Sequence, residues 1–142
     1  MDLERLRALC LALPGVTEHT IWEGDLTFKV GGKMFAHTVL EPGHPVWLSF
    51  KASPEDFAEL TERSNIIPAP YLARAQWVAL ETRDALGAEE LEQLIRTAHK
   101  LVVARLPKKT REALARDSAK RPEKKKNTST KRRKPKRSIS KR

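Results

Sequence analysis

Residues 26–39 read L-T-F-K-V-G-G-K-M-F-A-H-T-V, two apolar-rich runs of alternating pattern that are separated by two glycines. This pattern predicts a β-hairpin that turns at Gly31-Gly32, because the two-residue turns that suit paired strands need positive φ angles, which glycine adopts without steric cost. With this loop, Phe28 would face Phe35 across the two strands as an aromatic pair. The hairpin therefore defines the predicted sheet.

The predicted register separates an apolar face of the hairpin from a polar one. The apolar face would collect Leu26, Phe28, Val30, Phe35 and Val39, with His37 opposite Leu26. The other face would show Thr27, Lys29, Ala36 and Thr38, with Met34 as its one large apolar side chain. We expect helices to cover the apolar face, since burial removes it from water.

The remaining pattern predicts helices at 2–13, from Ser53 onward and at 88–106, and further strands at 46–51 and 76–83. Apolar side chains recur every three or four residues in the helical stretches, and Ser53-Pro54 is a typical helix start. Residues 16–22 predict a polar loop with a short extended end, and the proline-containing residues 66–71 predict a second loop. We therefore predict an α+β domain, an antiparallel meander sheet with helices packed on one face.

Charge is distributed unevenly along the chain. Residues 1–107 hold 11 Lys and Arg against 15 Asp and Glu, a net charge of −4, whereas residues 108–142 hold 17 against 3, a net charge of +14. From residue 120 onward almost no apolar side chain is present, so burial cannot offset the entropy of ordering. We predict a folded domain at 1–107 and a basic, disordered tail at 108–142. Near the start of this tail, the residues around Leu114 have a composition that allows one or two helical turns.

The only cysteine is Cys10, which lies in the first predicted helix. A disulfide within the chain is therefore excluded, and we interpret Cys10 as a buried structural residue. The first residues carry charges and lack the apolar stretch of a signal peptide, and no run approaches the roughly 18 apolar residues of a membrane span. The expected location is the cytoplasm.

Several segments together resemble the MmcQ/YjbR family. They are L-P-G-V-T-E at 13–18, F-K-V-G-G-K-M-F-A at 28–36, L-S-F-K-A-S-P-E at 48–55, residues 70–77, and K-L-V at 100–102. The likeness covers roughly residues 3–106 and excludes the tail. It implies a compact domain with a frataxin-like (CyaY-like) arrangement of helices on an antiparallel sheet, which is usually described as a double-wing DNA-binding fold.

Individual positions match this family unevenly. The lysine after the two glycines is present as Lys33, the lysine before the Pro-Glu helix start as Lys51, and the tryptophan of the last strand as Trp77. Where the family commonly has a histidine, lysines and then His-Trp, this chain has Tyr71, Arg74 and Gln76. A Ser-Tyr pair of the last helix is replaced by Ala98-His99.

Neither the i, i+4 spacing nor the cysteine partners of usual zinc sites occurs around the four histidines, His19, His37, His44 and His99. A frataxin-like fold raises the question of iron, but the first helix offers only Asp2 and Glu4, interleaved with arginines. No nucleotide-binding or hydrolase motif is present. We therefore expect no metal, no cofactor and no enzymatic activity.

The basic runs of the tail have the composition of arms that neutralise phosphates. The candidate contacts there are Lys124, Lys125, Lys126, Lys131, Arg132, Arg133, Lys134, Lys136 and Arg137. In the domain, the candidates are Lys29, Lys33, Lys51 and Arg74, for which a solvated sheet face is the alternative. The tail has no aromatic residue for base stacking, which favours duplex DNA or structured RNA over single strands.

These observations predict a monomeric, non-enzymatic DNA-binding protein with little sequence preference, whose affinity comes mainly from the tail. Structured RNA is the alternative nucleic acid, no membrane contact is expected, and DNA binding would place the protein at the nucleoid. The alternative function is a module that binds a small molecule or a protein on the sheet face around Lys29, Lys51 and Trp77, with a solubilising tail.

Overall fold

The computed structural model describes residues 1–21, 25–41, 43–70 and 72–120. Within them, six strands form one sheet: β1 (Val16–Ile21), β2 (Asp25–Val30), β3 (Lys33–Thr38), β4 (Leu48–Lys51), β5 (Ile66–Pro68) and β6 (Trp77–Leu80). The helices are α1 (Leu3–Ala12), α2 (Pro54–Leu60), α3 (Ala88–Ala104) and α4 (Lys108–Lys120), with a short 3₁₀ helix at Ala73–Ala75.

All neighbouring strands are antiparallel, in the order β1-β2-β3-β4-β6-β5. The α+β class is confirmed, and the four predicted strands, β2, β3, β4 and β6, are neighbours in this order as the predicted meander requires. The last two strands are reversed in order, so that β6 pairs with β4 and β5 forms an edge. This reversal follows from the long connection through α2, which carries the chain past the place that β6 later fills.

Both edge strands replace predicted loops. Residues 16–21 form β1, although their side chains are mostly polar, because an edge strand needs only backbone pairing with β2 and leaves one face to solvent. Residues 66–68 form β5, which ends at Pro68; an edge strand tolerates a proline, since one side of it makes no ladder hydrogen bonds. The predicted extended residue Trp22 lies outside the described residues.

Helix starts follow the sequence closely. An Asp2 carboxylate oxygen accepts a hydrogen bond from the Arg5 backbone N–H at 2.9 Å, and the Ser53 hydroxyl accepts one from the Asp56 N–H at 3.0 Å. Pro54 occupies the first turn of α2, where its missing N–H costs nothing. These caps satisfy backbone donors that would otherwise lack partners, so the predicted starts of α1 and α2 are confirmed.

The hairpin turns where the sequence predicts. Gly31 has a φ of +59° and Gly32 a φ of +81°, the left-handed conformations that a two-residue turn requires. Next to the turn, Val30 lies opposite Lys33 and Lys29 opposite Met34, as predicted. The glycine pair therefore sets the start of the register correctly.

One residue further from the turn, a β-bulge shifts this register. Phe28 pairs with Ala36 rather than Phe35, and Leu26 pairs with Thr38 rather than His37, so both predicted pairs are wrong. A bulge sets two residues of one strand against one of its partner. Phe35 and Ala36 are accordingly both fully buried, as is Phe28. The prediction assumes that side chains alternate strictly between the two faces, and this assumption has no place for an extra residue.

Because of the bulge, the β3 residues that follow it lie on the opposite face of the sheet from the one predicted. Thr38, predicted on the polar face, is fully buried, and its hydroxyl donates a hydrogen bond to the Trp47 carbonyl at 2.7 Å. His37 instead lies on the face without helices, where its Nδ1 is 3.1 Å from the Thr27 hydroxyl. The predicted positions of Ala36, Thr38 and His37 are therefore corrected, while those of Phe28 and Phe35 in the core are confirmed.

The main core lies between the sheet and three helices. Helix α3 packs across β2, β3 and β4, α1 packs on β1, and α2 packs on β5 and β6. The largest fully buried side chains are Phe28, Phe35, Phe50, Leu6, Leu48, Leu60, Leu80, Leu91 and Ile95. The apolar face of the hairpin is thus covered by helices, as its sequence predicts.

Helix α4 extends the folded part beyond the predicted boundary at residue 107. Its Leu114 is half-buried against the core, and a Cβ at Gly15 would overlap the Leu114 Cδ2 atom. In the connection between α3 and α4, Leu106 packs on Gly31, where a Cβ would lie 2.6 Å from the Leu106 Cδ1 atom. Residues 108–120 are therefore helical rather than part of a disordered tail, and residues 121–142 lie outside the described residues.

None of the helices in the described ranges combines the length and the apolar content that crossing a bilayer requires.

Substituting the two turn glycines separately tests the contact with Leu106. An alanine at either position adopts positive φ at a cost of about 1–2 kcal/mol. Only in Gly31→Ala does the new Cβ also meet Leu106, which adds roughly 1–3 kcal/mol of overpacking; at Gly32 it meets nothing within 4 Å. Urea unfolding should therefore show a larger loss of stability for Gly31→Ala than for Gly32→Ala. Equal losses of unfolding free energy in the two variants would show that Leu106 does not pack tightly against Gly31.

Candidate nucleic-acid interface

The four basic residues predicted in the domain lie at one end of the sheet, which we call the turn end because the Gly31-Gly32 turn is there. Lys29 lies near the end of β2, Lys33 begins β3, and Lys51 ends β4. Arg74 lies in the 3₁₀ helix, and the Lys51 ammonium donates a hydrogen bond to the neighbouring Ala75 carbonyl. The structure thus brings together candidates that are up to 45 positions apart in the sequence.

These four side chains do not share one face of the sheet. Lys29 and Lys51 alternate with Phe28 and Phe50, which are buried beneath α3, so both lysines lie on the open face without helices. Lys33 is exposed beside the turn, opposite Val30. The candidates therefore surround the turn end rather than forming one flat patch.

A fifth cation at this end was missed by sequence reasoning. Leu106 packs on Gly31, which places the preceding residue, Arg105, at the turn end. Burial lowers the pKa of the Lys51 ammonium, and the positive charge of Arg105 lowers it further. Arg105 follows the last residue of α3, where a cation suits the negative end of the helix dipole. Only the packing of α3 across the sheet brings it to the turn end, and the sequence contains no signal for that placement.

Three of the six other cations in residues 1–107 are paired with acids, whereas Arg5, Arg83 and Lys100 form no ion pair with a described carboxylate. Arg7 binds Glu18 at 2.8 Å, and Arg96 binds Glu92 at 2.9 Å. The Arg63 guanidinium makes two hydrogen bonds to the Glu90 carboxylate, at 2.7 and 3.0 Å. Hydrogen bonding to Arg63 lowers the pKa of the Glu90 carboxyl. The positive charges on the helices α1 to α3 are thus partly compensated within the fold.

At the turn end, the cations lack this compensation. None of them forms an ion pair with a carboxylate in the described ranges: Lys29, Lys33, Lys51, Arg74 and Arg105. Although residues 1–107 carry a net charge of −4, this end of the domain is therefore locally basic. An anion can interact there without displacing an acidic side chain.

The nine tail residues predicted to bind nucleic acid all lie outside the described residues. They are Lys124, Lys125, Lys126, Lys131, Arg132, Arg133, Lys134, Lys136 and Arg137. Their role remains a prediction from charge and composition.

The open face carries a hydrogen-bonded set of polar side chains. The Thr27 hydroxyl lies 3.1 Å from His37 Nδ1, and His37 Nε2 lies 3.5 Å from an Asp25 carboxylate oxygen. The types of residue are those of a nucleophile, a base and an acid, but Thr27 is fully buried and no substrate can reach its hydroxyl. We interpret this set as a link between β2 and β3. Among the described residues, no three His, Cys, Asp or Glu side chains are grouped to hold a metal ion.

A second apolar cluster lies on the open face. Val46, Ala69, Trp77 and Ala79 are buried there, and three partly buried residues pack against them: Met34, Ile67 and Leu72. Trp77 is only 5% exposed, so the tryptophan that matches the family pattern is a packing residue. Trp47 is also buried, and the Arg83 guanidinium covers its ring at 4.4 Å.

Cys10 and His99 both act within the core. Burial, with a smaller contribution from Glu18, raises the pKa of the Cys10 thiol to about 12, which agrees with its interpretation as a structural residue. His99 Nε2 lies 2.9 Å from the Pro14 carbonyl oxygen, and its ring meets the Phe35 ring edge-on. Burial lowers the pKa of His99, against a smaller raising effect of the Pro14 hydrogen bond. His99 therefore ties α3 to the turn after α1 as a neutral imidazole.

Together, the fold and this end of the sheet define a small α+β domain with one helix-covered face, one open face and a basic turn end. Residues 11–101 match the model of the YjbR family. The chain belongs to the YjbR family, and the predicted resemblance is confirmed. Arg105, α4 and the tail lie beyond the matched region.

The solved structures that are similar to this chain include the following two. The Deinococcus radiodurans protein DR2400, which has a DUF419 domain, is 30% identical, with a TM-score of 0.71 over 80% of this chain and 88% of that one. A Pseudomonas syringae protein from a structural-genomics consortium is 19% identical and shows the same fold, with a TM-score of 0.59 over 71% of this chain and 98% of that one. The comparison with curated proteins found no match.

The buried His99 predicts a loss of stability in mild acid. Because its pKa is lowered in the folded state, the unfolded chain binds the proton more readily, and stability falls as the pH drops from about 6.5 toward the folded pKa. The loss amounts to about 1.4 kcal/mol for each unit by which the pKa is lowered. His99→Gln keeps a donor for the Pro14 carbonyl and should reduce this dependence between pH 7 and 5 in urea unfolding. His19→Gln, at an exposed position, is the control, and identical pH profiles for the two variants would contradict the assignment.

Proposed function

We propose that this protein is a non-enzymatic DNA-binding protein with little sequence preference, in which the basic C-terminal residues supply most of the affinity. The supporting observation is the division of charge. Residues 108–142 carry 17 cations against 3 acids, whereas residues 1–107 are net acidic. An excess of this size, with almost no apolar residue from 120 onward, is typical of segments that neutralise phosphates.

The folded domain gives the basic segment a fixed point of attachment. Helix α4 begins at the turn end, next to cations that no described carboxylate pairs. Elsewhere the net acidic domain repels a polyanion. DNA held by the tail would therefore meet the domain at its turn end, so that the fold orients the complex while the tail supplies its strength.

The composition of the surface favours a duplex as the partner. Phosphate contacts carry no base information, which accounts for the proposed lack of sequence preference. The described Trp and Phe side chains are buried or half-buried, and the tail contains no aromatic residue. Structured RNA is the second nucleic acid that fits. The proposed location is the cytoplasm, at the nucleoid, with the protein as a monomer.

A second function is favoured by the apolar cluster on the open face. Met34, Ile67 and Leu72 are partly exposed there, close to Lys51. Such a surface suits a module that binds a small molecule or a protein, with the tail acting as a solubilising segment. This function would be independent of the tail charges, which separates it from the first proposal.

A salt titration of binding to a random-sequence duplex tests the role of the tail. If 6 to 10 cations contact phosphates, the affinity of the full chain should fall roughly 10³- to 10⁵-fold between 50 and 200 mM salt. Replacing the nine predicted tail cations with Gln should remove most of the affinity and flatten this dependence. The replacement preserves chain length and leaves every described contact in place.

Gln substitutions at the neutral residues 127–130 of the same tail are the matched control and should leave binding unchanged. If the charge-depleted chain binds as tightly as the original, the tail is not the binding element. Absence of binding by the full chain near 100 mM salt would refute the DNA-binding function and favour the open-face module.

A further inference from the structure

The contact between Leu106 and Gly31 places three cations from different parts of the fold at the turn end. Leu106 packs on Gly31, and Arg105 and Lys108 lie one residue before and two residues after Leu106. Lys33 lies two residues after Gly31. All three basic side chains are exposed. The contact therefore holds the end of α3, the start of α4 and the start of β3 beside one another, with their positive charges facing solvent.

Helix α4 continues this basic surface. Thr110 and Leu114 are half-buried and face the domain, whereas Lys108, Lys109 and Arg111 are exposed. None of these three cations forms an ion pair with a carboxylate that the structure describes. The side of α4 that faces solvent is thus predominantly basic in its first turn.

The lysines in the first turn of α4 are not explained by helix stability. The positive end of the helix dipole favours acids, and α2 and α3 begin accordingly with Glu55-Asp56 and Glu89-Glu90. Helix α4 has no acid in its first turn and begins with Lys108-Lys109 instead. The two lysines are repelled by the positive end of the helix dipole and therefore destabilise α4. A bound polyanion would reduce this repulsion.

We propose that Lys33, Arg105, Lys108, Lys109 and Arg111 form one fixed cationic edge that binds the phosphodiester backbone of duplex DNA. The inference rests on the proposed DNA-binding function. It adds a second DNA-binding surface, which lies on the folded domain and has a fixed geometry. Leu106 and Leu114 are positioning residues, which hold α4 against Gly31 and Gly15 without contacting DNA.

A fixed edge suits a duplex better than a single strand. Cations on packed elements keep their spacing, so binding orders fewer side chains and costs less entropy than binding by a flexible segment. A duplex presents phosphates at regular intervals that such a surface can match, whereas a flexible single strand must first be ordered. The described aromatic side chains are buried or half-buried and offer no stacking platform to unpaired bases.

The test uses the full chain with its tail intact, because only cations outside the tail distinguish the edge from the tail. The variant is Lys33→Gln with Arg105→Gln. The matched control is Arg5→Gln with Lys100→Gln, which removes two exposed cations that no described carboxylate pairs. The measurement is the salt dependence of binding to a random-sequence duplex, alongside the single strand of the same length and a thermal unfolding curve.

Each lost phosphate contact should lower the log-log salt slope by about 1. The edge variant should therefore lose about 2 units of slope and roughly 10-fold or more in affinity, while the control keeps the original slope. Leu114→Ala, which releases α4, should also flatten the slope, and Leu114→Met, which keeps the apolar anchor, should restore it. The intact chain should prefer the duplex over the single strand.

The outcomes separate this inference from the proposed function. If the full chain binds duplex DNA but the edge variant and the control behave alike, the edge is refuted while tail-mediated binding stands. Equal slopes for Leu114→Ala and Leu114→Met would refute the positioning role of Leu114. If the unsubstituted chain does not bind DNA, the proposed function fails, and the inference fails with it.

Discussion

The absence of a side chain at Gly31 is the constraint on which much of this structure depends. Its positive φ lets β2 reverse into β3, and the space above it admits Leu106 from the end of α3. The same residue thus closes the hairpin and gives the connection between α3 and α4 a packing surface. A larger residue would require both left-handed backbone strain and displacement of Leu106, so turn geometry and tertiary packing are coupled at one position.

Electrostatics follow from this arrangement. Arg7, Arg63 and Arg96 are each paired with an acid, Arg63 through two hydrogen bonds to Glu90, whereas the five cations at the turn end have no such partners in the described part of the chain. The domain is thus net acidic and yet basic at one end. Screening limits such fields to about 8–10 Å at physiological salt, so a polyanion senses the local sign of the turn end rather than the net charge of the domain.

Local rules in the sequence predict a large part of the fold. The caps at Asp2 and Ser53 and the turn at Gly31 each depend on residues that are adjacent or three positions apart, and all were predicted correctly. The bulge at Phe35 was not, because a period-two pattern contains no mark for an inserted residue. The edge strands were also missed, since β1 is held by backbone pairing with β2 that its polar side chains do not reveal.

In the candidate site, too, some residues can be recognised from their sequence neighbours and others only from the tertiary structure. Lys33 was recognised because it follows two glycines, whereas Arg105 depends on where a 17-residue helix ends after crossing three strands. Helix α4 was underestimated because its hold on the domain rests on Leu114, and one anchoring leucine gives no periodic signal. Both features lie beyond residues 11–101, which match the family. The matched region contains Gly15 and Gly31. The residues that follow it pack on these two glycines and place positive charge at the turn end.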